Sequence, residues 1–184
     1  EIWNDVFMQY VKKDGKITGK LPSQNVDTGS GLERVVMAVQ GKDNIFDTDL
    51  FLPLMAVLPK DKDIKSARVV SDHIRTSVFM IADGVTTSNT DRCYILRRLL
   101  RRSYVHARKL AVGPEALVQV AELVMNHDSY KGLYTFNPET RKIIGDEIQK
   151  FKKALDAGLK QVEKGEDPFT LFTSYGLPLE IIEE

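Results

Sequence analysis

The sequence predicts an α+β fold, with a small antiparallel sheet near its start and helices through the rest of the chain. Residues 2–10 are rich in β-branched and aromatic side chains, which is typical of a strand. From residue 49 onward, apolar residues recur at the three- and four-residue steps of a helix. We therefore expect two domains: residues 1–58, which contain the strands, and residues 59–184, which are entirely helical.

A hairpin turn and a glycine-rich turn organise the first of these parts. The Lys-Asp-Gly-Lys run at residues 13–16 has the composition of a hairpin turn. A polar stretch follows, and Asn25–Asp27 is predicted to be a short second strand that breaks at Gly29 and Gly31. Leu32–Gln40 then carries apolar residues at helical spacing, so the predicted order is strand, glycine turn, helix.

The helices of the second part are marked by prolines and capping residues. Pro114 occupies the first-turn position that proline favours. Asn137 and Pro138 are predicted to start the longest helix, which carries one apolar stripe from Ile144 to Val162. The other predicted helices are Asp49–Leu58, Ser66–Asp83, one that is capped by Thr90 or Asp91 and runs to about Leu110, and Glu115–Asn126.

Positive charge is concentrated in one segment, although the chain as a whole is neutral. The chain has 26 basic and 26 acidic residues, yet Arg92–Lys109 contains seven Lys or Arg and no acid. Such a segment provides an anion-binding face. The single cysteine, Cys93, cannot form an internal disulfide, which favours a cytoplasmic location. The sequence predicts no membrane span, and Cys93 and the histidines lack metal-ligand spacing, so no zinc site is expected.

Residues 26–34, Val-Asp-Thr-Gly-Ser-Gly-Leu-Glu-Arg, place two glycines between a strand and a helix. Glycines let the backbone approach a ligand closely, and the first turn of the helix offers free N–H groups to an anion. Arg34, one turn into the helix, is a fixed cation that can reach back over that anion. Asp27, at the end of the strand, suits the ammonium group of a ligand. Taken alone, the same pattern also fits the ordinary packing of a turn.

The segment Arg97-Arg98-Leu99-Leu100-Arg101-Arg102 is predicted to lie in an amphipathic helix. One side of that helix would pack on protein, and the other would contact a phosphate backbone. The alternatives are a solvated face, or a face covered by acids as in a helical scaffold that binds protein. On a helical wheel, the basic side carries Arg97, Arg98, Arg101, Arg102, Arg108 and Lys109, and the apolar side carries Ile95, Leu96, Leu99, Leu100, Ala107 and Leu110.

The string Gly-Leu-Glu-Arg at residues 31–34 resembles motif 3 of the class II aminoacyl-tRNA synthetases. With Glu-Ile-Trp-Asn-x-Val-Phe-Met-Gln at residues 1–9 and Val-Asp-Thr-Gly at residues 26–29, it resembles the alanyl-tRNA synthetase family in particular. The resemblance implies that residues 1–58 are the C-terminal part of a class II catalytic domain, at an edge of its antiparallel sheet. It also implies ATP-dependent activation of alanine and its transfer to tRNA(Ala), with ATP and Mg²⁺ bound during the reaction.

The resemblance assigns roles to residues around the glycine turn. Arg34 would contact an ATP phosphate, with Gly31 beside it, and Asp27 would bind the α-amino group of alanine, so that Arg34 and Asp27 are the expected catalytic pair. Asn4, Val6 and Gly29 would line the same small pocket. A wall of valine and glycine leaves room for a methyl side chain, although one methylene contributes only about 1–3 kcal/mol to discrimination.

Two further segments resemble the part of the family that binds tRNA, namely Asp-His-Ile-Arg at residues 72–75 and Ile-Ala-Asp-Gly-Val-Thr-Thr-Ser-Asn-Thr-Asp-Arg-Cys-Tyr-Ile-Leu-Arg-Arg at residues 81–98. The resemblance implies that Asn89 reads the acceptor-stem base pair from the minor groove, because an amide both donates and accepts at a base edge. The arginines expected to bind tRNA beside it are Arg92, Arg97, Arg98, Arg101 and Arg102. Residues 171–180 resemble a third segment of the family, in which an aspartate usually reads the base pair together with the asparagine. This chain has Thr173 at that position, so the resemblance would make Thr173 a tRNA-binding residue, with a hydroxyl that can hydrogen-bond but carries no charge.

The implied partners are alanine, ATP, the acceptor stem of tRNA(Ala) and the remainder of a synthetase. Class II motifs 1 and 2 would precede Glu1, and a zinc-binding editing domain would follow Glu184. We therefore expect the chain alone to be catalytically inactive and its sheet edge to be uncovered. The alternative is a stand-alone tRNA-binding helical module without catalytic activity.

Overall fold

The computed structural model describes residues 1–165 and 167–175, with side chains as far as Leu171. The described residues form a two-stranded antiparallel sheet followed by helices, so the α+β class predicted from the sequence is confirmed. The chain divides into two compact units, the first at Glu1–Leu52 and the second beginning at Pro53. The domain boundary after residue 58 stays a prediction.

The sheet is a long hairpin of β1, Trp3–Lys13, and β2, Lys16–Ser30. Its tight turn places Asp14 at φ 46° and Gly15 at φ 79°, as the two central residues of a hairpin turn require. The prediction of a short second strand at 25–27 was wrong, because β2 is one continuous strand of 15 residues. Its polar first half pairs with β1 through backbone hydrogen bonds, which do not depend on side-chain polarity when both faces are open to solvent.

Both faces of the hairpin are exposed to solvent, and the uncovered sheet edge stays a prediction. Every residue of β1 is exposed, and β2 is exposed except for the half-buried Leu21. Large apolar side chains are among them: Trp3 is 60% exposed, Phe7 71% and Val26 61%. An isolated two-stranded hairpin is at best marginally stable in water, so this unit lacks the apolar cover that a stable sheet needs.

A short helix and a 3-10 turn follow the hairpin in the first unit, and a second short helix begins at the last residue of that unit, Leu52. Helix α1, Leu32–Val39, begins after Gly31 and ends where Gly41 adopts φ 61°. This left-handed residue lets the Lys42 amide donate to the Met37 carbonyl, a hydrogen bond that terminates the helix. The predicted helix at 49–58 was too long: a 3-10 turn spans Ile45–Asp47, and α2 spans only Leu52–Ala56.

The second unit is a bundle of helices around one apolar core. Its helices are α3 (Ile64–Ala82), α4 (Asp91–Lys109), α5 (Pro114–Met125), α6 (Thr140–Val162) and α7 (Pro168–Tyr175). Helix α3 packs on α4 and α5, and α6 packs on α4, α5 and α7. The buried apolar residues recur at helical spacing on each element, and they include Val70, Ile74, Val78, Leu96, Leu100, Leu117, Val124, Ile144, Ile148, Phe151 and Leu155. Within the described residues, no helix combines the length and the apolar character that crossing a membrane requires.

Three details of the predicted helices differ from the structure. Ile95, expected on the packed side of α4, is 47% exposed. Val162, at the end of the predicted apolar stripe of α6, is 38% exposed. Helix α6 starts at Thr140 rather than Pro138, since the Asn137 side chain accepts a hydrogen bond from the Glu139 amide and so forms a turn before the helix.

A cluster of aromatic rings orders the long connection between α5 and α6. The ring of Phe79 on α3 lies 4.9 Å from that of Tyr130 and 4.8 Å from that of Tyr134, both with edge-on geometry. The Nε of Arg75 donates to the Tyr130 hydroxyl at 2.9 Å. Aromatic contacts of this geometry stabilise beyond their buried area, so the connection is fixed to α3 rather than loose.

A polar network joins the start of α3 to α4. Asp63 caps α3: it accepts hydrogen bonds from the Lys65 amide at 3.0 Å, the Ser66 amide at 3.1 Å and the Ser66 hydroxyl at 2.5 Å. Since the only hydroxyl proton of Ser66 goes to Asp63, the Nδ1 of His106, 2.8 Å from Ser66 Oγ, is the donor in that contact. Burial, followed by the charge of Arg102, lowers the pKa of His106 and favours its neutral form.

The cap at Asp63 predicts a specific pH dependence of stability. The hydrogen bonds from Ser66 lower the pKa of Asp63 below its usual 3.8. This stabilisation is present above the unfolded pKa and is lost as the pH falls through the lowered folded value. In the variant Asp63→Asn the amide still caps the helix but does not titrate, so between about pH 5 and about pH 2 the parent should lose more thermal stability than this variant. Thermal unfolding followed by circular dichroism measures this. Asp61→Asn removes a nearby charge without touching the cap, and equal pH slopes in all three proteins would contradict the prediction.

Candidate functional site

Four residues assigned to the alanine pocket by resemblance lie side by side in the hairpin. In the β1–β2 ladder Asn4 is directly opposite Gly29, and Val6 is directly opposite Asp27. Residues that pair across an antiparallel ladder share one face of the sheet, as do residues two apart on one strand. Asn4, Val6, Asp27 and Gly29 therefore occupy one continuous patch on a single face.

Gly29 leaves open space within this patch. Its φ is not positive, and a Cβ built on it would meet no atom within 4 Å. The backbone therefore does not need glycine at this position. What the missing side chain provides is room beside Asn4, next to the Asp27 carboxylate on the same strand.

Arg34 lies across the start of α1, near the end of the hairpin. Its Nη1 donates to the Glu1 carbonyl at 3.1 Å, and its Cδ lies 3.3 Å from where a Cβ of Gly31 would be. A side chain at position 31 would thus displace Arg34. No side-chain hydrogen bond caps α1, and the first turn of a helix is a general site for an anion.

The opposite face of the hairpin has a different character. Trp3, Asp5 and Phe7 alternate with the pocket residues along β1, and the indole Nε1 of Trp3 donates to Asp5 Oδ2 at 3.1 Å. This face therefore carries large exposed rings and a carboxylate that is already hydrogen-bonded. Asp5 is a useful comparison for Asp27, because both are exposed carboxylates of the same hairpin on opposite faces.

The described residues do not form a magnesium cage of their own. No group of three or more His, Cys, Asp or Glu side chains converges in residues 1–165 and 167–175. A magnesium ion carried by nucleotide phosphates needs only one or two protein carboxylates. Arg34 and the start of α1 are therefore the described groups near the glycine turn whose charge suits a phosphate.

In the second unit, the basic face of α4 is partly covered by an acid on another helix. Glu147 of α6, only 3% exposed, accepts a hydrogen bond from Arg101 Nε at 2.9 Å and lies 3.3 Å from Arg97 Nε. Arg101 also lies over the Phe151 ring, 5.1 Å from its centre. Sequence reasoning excluded acids within the α4 segment but missed this one, because it lies about 50 residues further along the chain.

Asn89 is joined to the same arginines. Its Oδ1 accepts a hydrogen bond from Nη1 of Arg97, although Asn89 lies in the loop before α4. Arg97 therefore contacts Glu147 through one nitrogen and Asn89 through another. The structure thus brings two predicted tRNA-binding residues, Asn89 and Arg97, into direct contact.

Two other basic residues of α4 have partners within the unit. Arg102 Nη1 lies 3.4 Å from His73 Nε2, and His73 Nδ1 lies 2.9 Å from Asp72 Oδ2, so the Asp72-His73 part of the 72–75 motif lies beside the basic helix. Arg108 lies 4.0 Å from Asp156 in an exposed pair, which contributes little.

Arg92 and Arg98 remain open to solvent. Both are exposed, and within the described part of the chain neither has an ion pair or a side-chain hydrogen bond. Tyr94 and Ile95 lie beside them and are 46% and 47% exposed. A helical scaffold that binds protein would require acids to cover the whole basic face. Because Arg92 and Arg98 are open to solvent, the face is only partly covered. Thr173 lies in α7, but its side chain is outside the described residues.

The chain is similar to known synthetases along its whole length. Residues 1–184 match the family described as tRNA synthetases class II (A). Proteins named Alanine--tRNA ligase from Rhodopseudomonas palustris and Thermoanaerobacter sp. are 36% identical over 207 residues and 35% identical over 209 residues, and both matches cover 100% of this chain. The one from Magnetococcus marinus is 38% identical over 206 residues, covering 98% of this chain. The chain spans 23–24% of the length of these relatives.

The buried position of Glu147 predicts unequal effects of arginine substitutions on stability. Arg101→Ala leaves a buried carboxylate with one partner fewer, which should cost about 1–3 kcal/mol. This is below the roughly 3–5 kcal/mol for breaking a fully buried pair, because Arg97 remains and the Arg101 side chain is 31% exposed. Arg98→Ala should change the free energy of unfolding by less than about 0.5 kcal/mol. Urea unfolding followed by circular dichroism compares them, and equal midpoints would contradict a role for the Glu147 pair in stability.

Proposed function

This chain belongs to the tRNA synthetases class II (A) family, and from that premise we propose that it is part of an alanine–tRNA ligase. Residues 1–58 would be the end of the catalytic domain, including motif 3, and residues 59–184 a helical tRNA-recognition domain. The activity would be ATP-dependent activation of alanine and its transfer to tRNA(Ala). The observation that carries the proposal is the single-face patch of Asn4, Val6, Asp27 and Gly29.

The patch has the chemistry that alanine needs. The Asp27 carboxylate would bind the α-ammonium group, and a charge-assisted hydrogen bond of this kind is the strongest that one side chain can offer. Val6, on the opposite strand, would contact the methyl group. The open space at Gly29 would admit the small amino acid, and the Asn4 amide beside it would supply a further donor and acceptor.

Arg34 would bind a phosphate of ATP. It lies over Gly31 beside the uncapped start of α1, so that a cation and free amides would face the same anion. Such groups stabilise charge that develops during phosphate displacement without moving. Mg²⁺, when bound with ATP, would supply additional positive charge to the phosphates. Class II motifs 1 and 2, from the remainder of the synthetase, would complete the site and cover the exposed hairpin.

The second unit would bind the tRNA acceptor stem. Arg92, Arg98 and Arg102 present exposed cations on one helix, which suits a phosphate backbone. Asn89, in the loop before that helix, would read a base edge in the minor groove. Arg97 and Arg101 would contribute less to phosphate binding than the sequence predicted, because both already contact Glu147. We also propose Thr173 as a second base-reading residue. A cytoplasmic location of the protein is likewise part of the proposal.

The alanine site can be tested by comparing the two carboxylates of the hairpin. In the complete synthetase that carries this sequence, Asp27→Ala should lower kcat/KM for alanine in ATP–pyrophosphate exchange by about ten- to a hundredfold. This corresponds to the roughly 1.5–3 kcal/mol of a hydrogen bond to a charged group. Asp5→Ala, on the opposite face, should have little effect. Equal losses for both variants would point to a structural role for the hairpin and would remove the support for an alanine site.

The same assay separates the complete synthetase from a stand-alone RNA-binding module. The 184-residue chain alone should support no alanine-dependent exchange, because the proposal assigns class II motifs 1 and 2 to the remainder of the synthetase. Robust alanine-dependent exchange by the chain alone would contradict the proposal that the remainder of the synthetase completes the catalytic site.

The RNA role can be tested with the 184-residue chain and two kinds of substitution. Arg98→Gln should weaken binding of all tRNAs and flatten the salt dependence of log K by about 0.7–0.9 per lost phosphate contact. Asn89→Ala should leave non-cognate binding nearly unchanged but reduce the preference for alanine tRNA by about 1–3 kcal/mol. Filter binding of alanine tRNA and one non-cognate tRNA across a salt series measures both effects.

The matched control is Arg141→Gln, which removes an exposed arginine paired with Glu122 at 3.1 Å between α5 and α6. If Arg98→Gln behaves like this control at every salt concentration, the basic face is only a solvated surface and the tRNA role fails.

A further inference from the structure

Glu147 connects three elements of the second unit through one arginine. From α6 its buried carboxylate contacts Arg97 and Arg101 on α4, and Arg97 in turn donates to Asn89 in the loop before α4. Both contacts to Glu147 use an Nε atom, the inner nitrogen of the guanidinium group. Arg97 therefore reaches Asn89 with a different nitrogen, Nη1, from the one that faces Glu147.

The contact with Arg97 fixes the orientation of the Asn89 amide. Arginine has only donors, so the atom of Asn89 that faces it must be the oxygen, Oδ1. The amide NH₂ group, which has two donors, is then the part of Asn89 left for another molecule. In the minor groove the acceptors that match it are purine N3 and pyrimidine O2. An amide that rotated freely would offer donor and acceptor equally and would discriminate less well.

Glu147 also reduces the positive charge that α4 presents. One carboxylate between two guanidinium groups compensates one of their two charges, and it does so in a site that is only 3% exposed, where screening by salt is weak. The free arginines, Arg92 and Arg98, attract any polyanion regardless of sequence. By holding Arg97 and Arg101, Glu147 therefore weakens the non-specific attraction of polyanions to α4. The contact between Arg97 and Asn89 is kept.

We propose that Glu147 is a positioning residue for RNA discrimination: it holds Arg97, which orients the Asn89 amide with its NH₂ group outward, and it limits non-specific attraction by Arg97 and Arg101. This inference rests on the proposed tRNA role of α4 and adds to it the group that sets selectivity. Glu147 does not touch the RNA. Of the two arginines, Arg101 also packs on Phe151 and has a structural role. Arg97 is the one that contacts Asn89.

The first test is Glu147→Gln in the 184-residue chain, with Glu122→Gln as the matched control. Glu122 forms an ion pair between two helices as Glu147 does, but it is only half-buried and contacts Arg141 rather than α4. Loss of the Glu147 charge should strengthen binding of a non-cognate tRNA and steepen its salt dependence by about 0.7–0.9 for each arginine that is freed. The preference for alanine tRNA should fall about tenfold, equivalent to about 1.4 kcal/mol. The control should change neither quantity.

The opposite directions of these two changes separate positioning from a general structural role. A destabilised fold would lower the affinity for both RNAs together and would lower the helical signal. That pattern in Glu147→Gln, or an unchanged salt slope in a folded variant, overturns the inference.

A second variant tests the link to Asn89 without uncovering a buried charge. Arg97→Lys keeps a cation near Glu147, but a single ammonium group cannot contact both Glu147 and Asn89 as the branched guanidinium does. We expect Arg97→Lys to keep the salt slope and to lose the preference for alanine tRNA to the same extent as Asn89→Ala. The double variant that combines Arg97→Lys with Asn89→Ala should then lose no more of the preference for alanine tRNA than either single variant. Additive losses would show that Arg97 does not act through Asn89.

Failure of the inference can be distinguished from failure of the tRNA role. If Arg98→Gln has no effect on any tRNA, the proposed function fails for this unit. If Arg98→Gln weakens binding but neither Glu147→Gln nor Arg97→Lys changes the preference, only the inference is overturned. If the parent chain shows no preference at all, base reading by Asn89 fails, and the salt slope of Glu147→Gln alone decides whether Glu147 limits the charge of α4.

Discussion

The contact of one buried carboxylate with two arginines determines how the second unit presents its charge. An isolated buried glutamate would be costly, and two arginines on one helix face would repel each other. Glu147 accepts a hydrogen bond from Arg101 and forms an ion pair with Arg97, and these contacts join α6 to α4. Because Arg97 also reaches Asn89, the packing of the bundle and the position of a candidate base-reading residue depend on the same side chain.

The first unit is governed by the opposite constraint, which is lack of cover. Its hairpin exposes Trp3 and Phe7 on one face, while the patch around Asp27 lies on the other. A ligand pocket needs an open face, but a stable sheet needs apolar cover and more strands. The hairpin therefore leaves the face of the candidate patch open and lacks the packing that would stabilise a sheet. The chain spans about a quarter of the length of the relatives that it matches.

The two candidate sites use glycine and arginine in different ways. At the glycine turn, Gly31 allows Arg34 to lie close against the backbone, so the cation is placed by the absence of a side chain. On α4 the arginines are placed by partners: Arg101 by Glu147 and Phe151, and Arg102 by a histidine. The placement of Arg34 depends on neighbouring residues and can be recognised in a short motif. The placement of the α4 arginines depends on other helices and needs the assembled bundle.

The sequence by itself determined the elements whose cause is local. Several local signals can be recognised along the chain because each acts over a few residues. They are the β-branched and aromatic run of the first strand, the helical patterns, the Asp14-Gly15 turn, the proline that starts α5 and the motifs of the synthetase family. Only the tertiary structure decided which charges are used and which remain free. Glu147 is distant from Arg97 in sequence, and burial of its carboxylate depends on how α6 packs on α4. The helical periodicity of the sequence does not predict that Glu147 pairs with Arg97. The two residues belong to different helices and meet only when the core between the helices has formed.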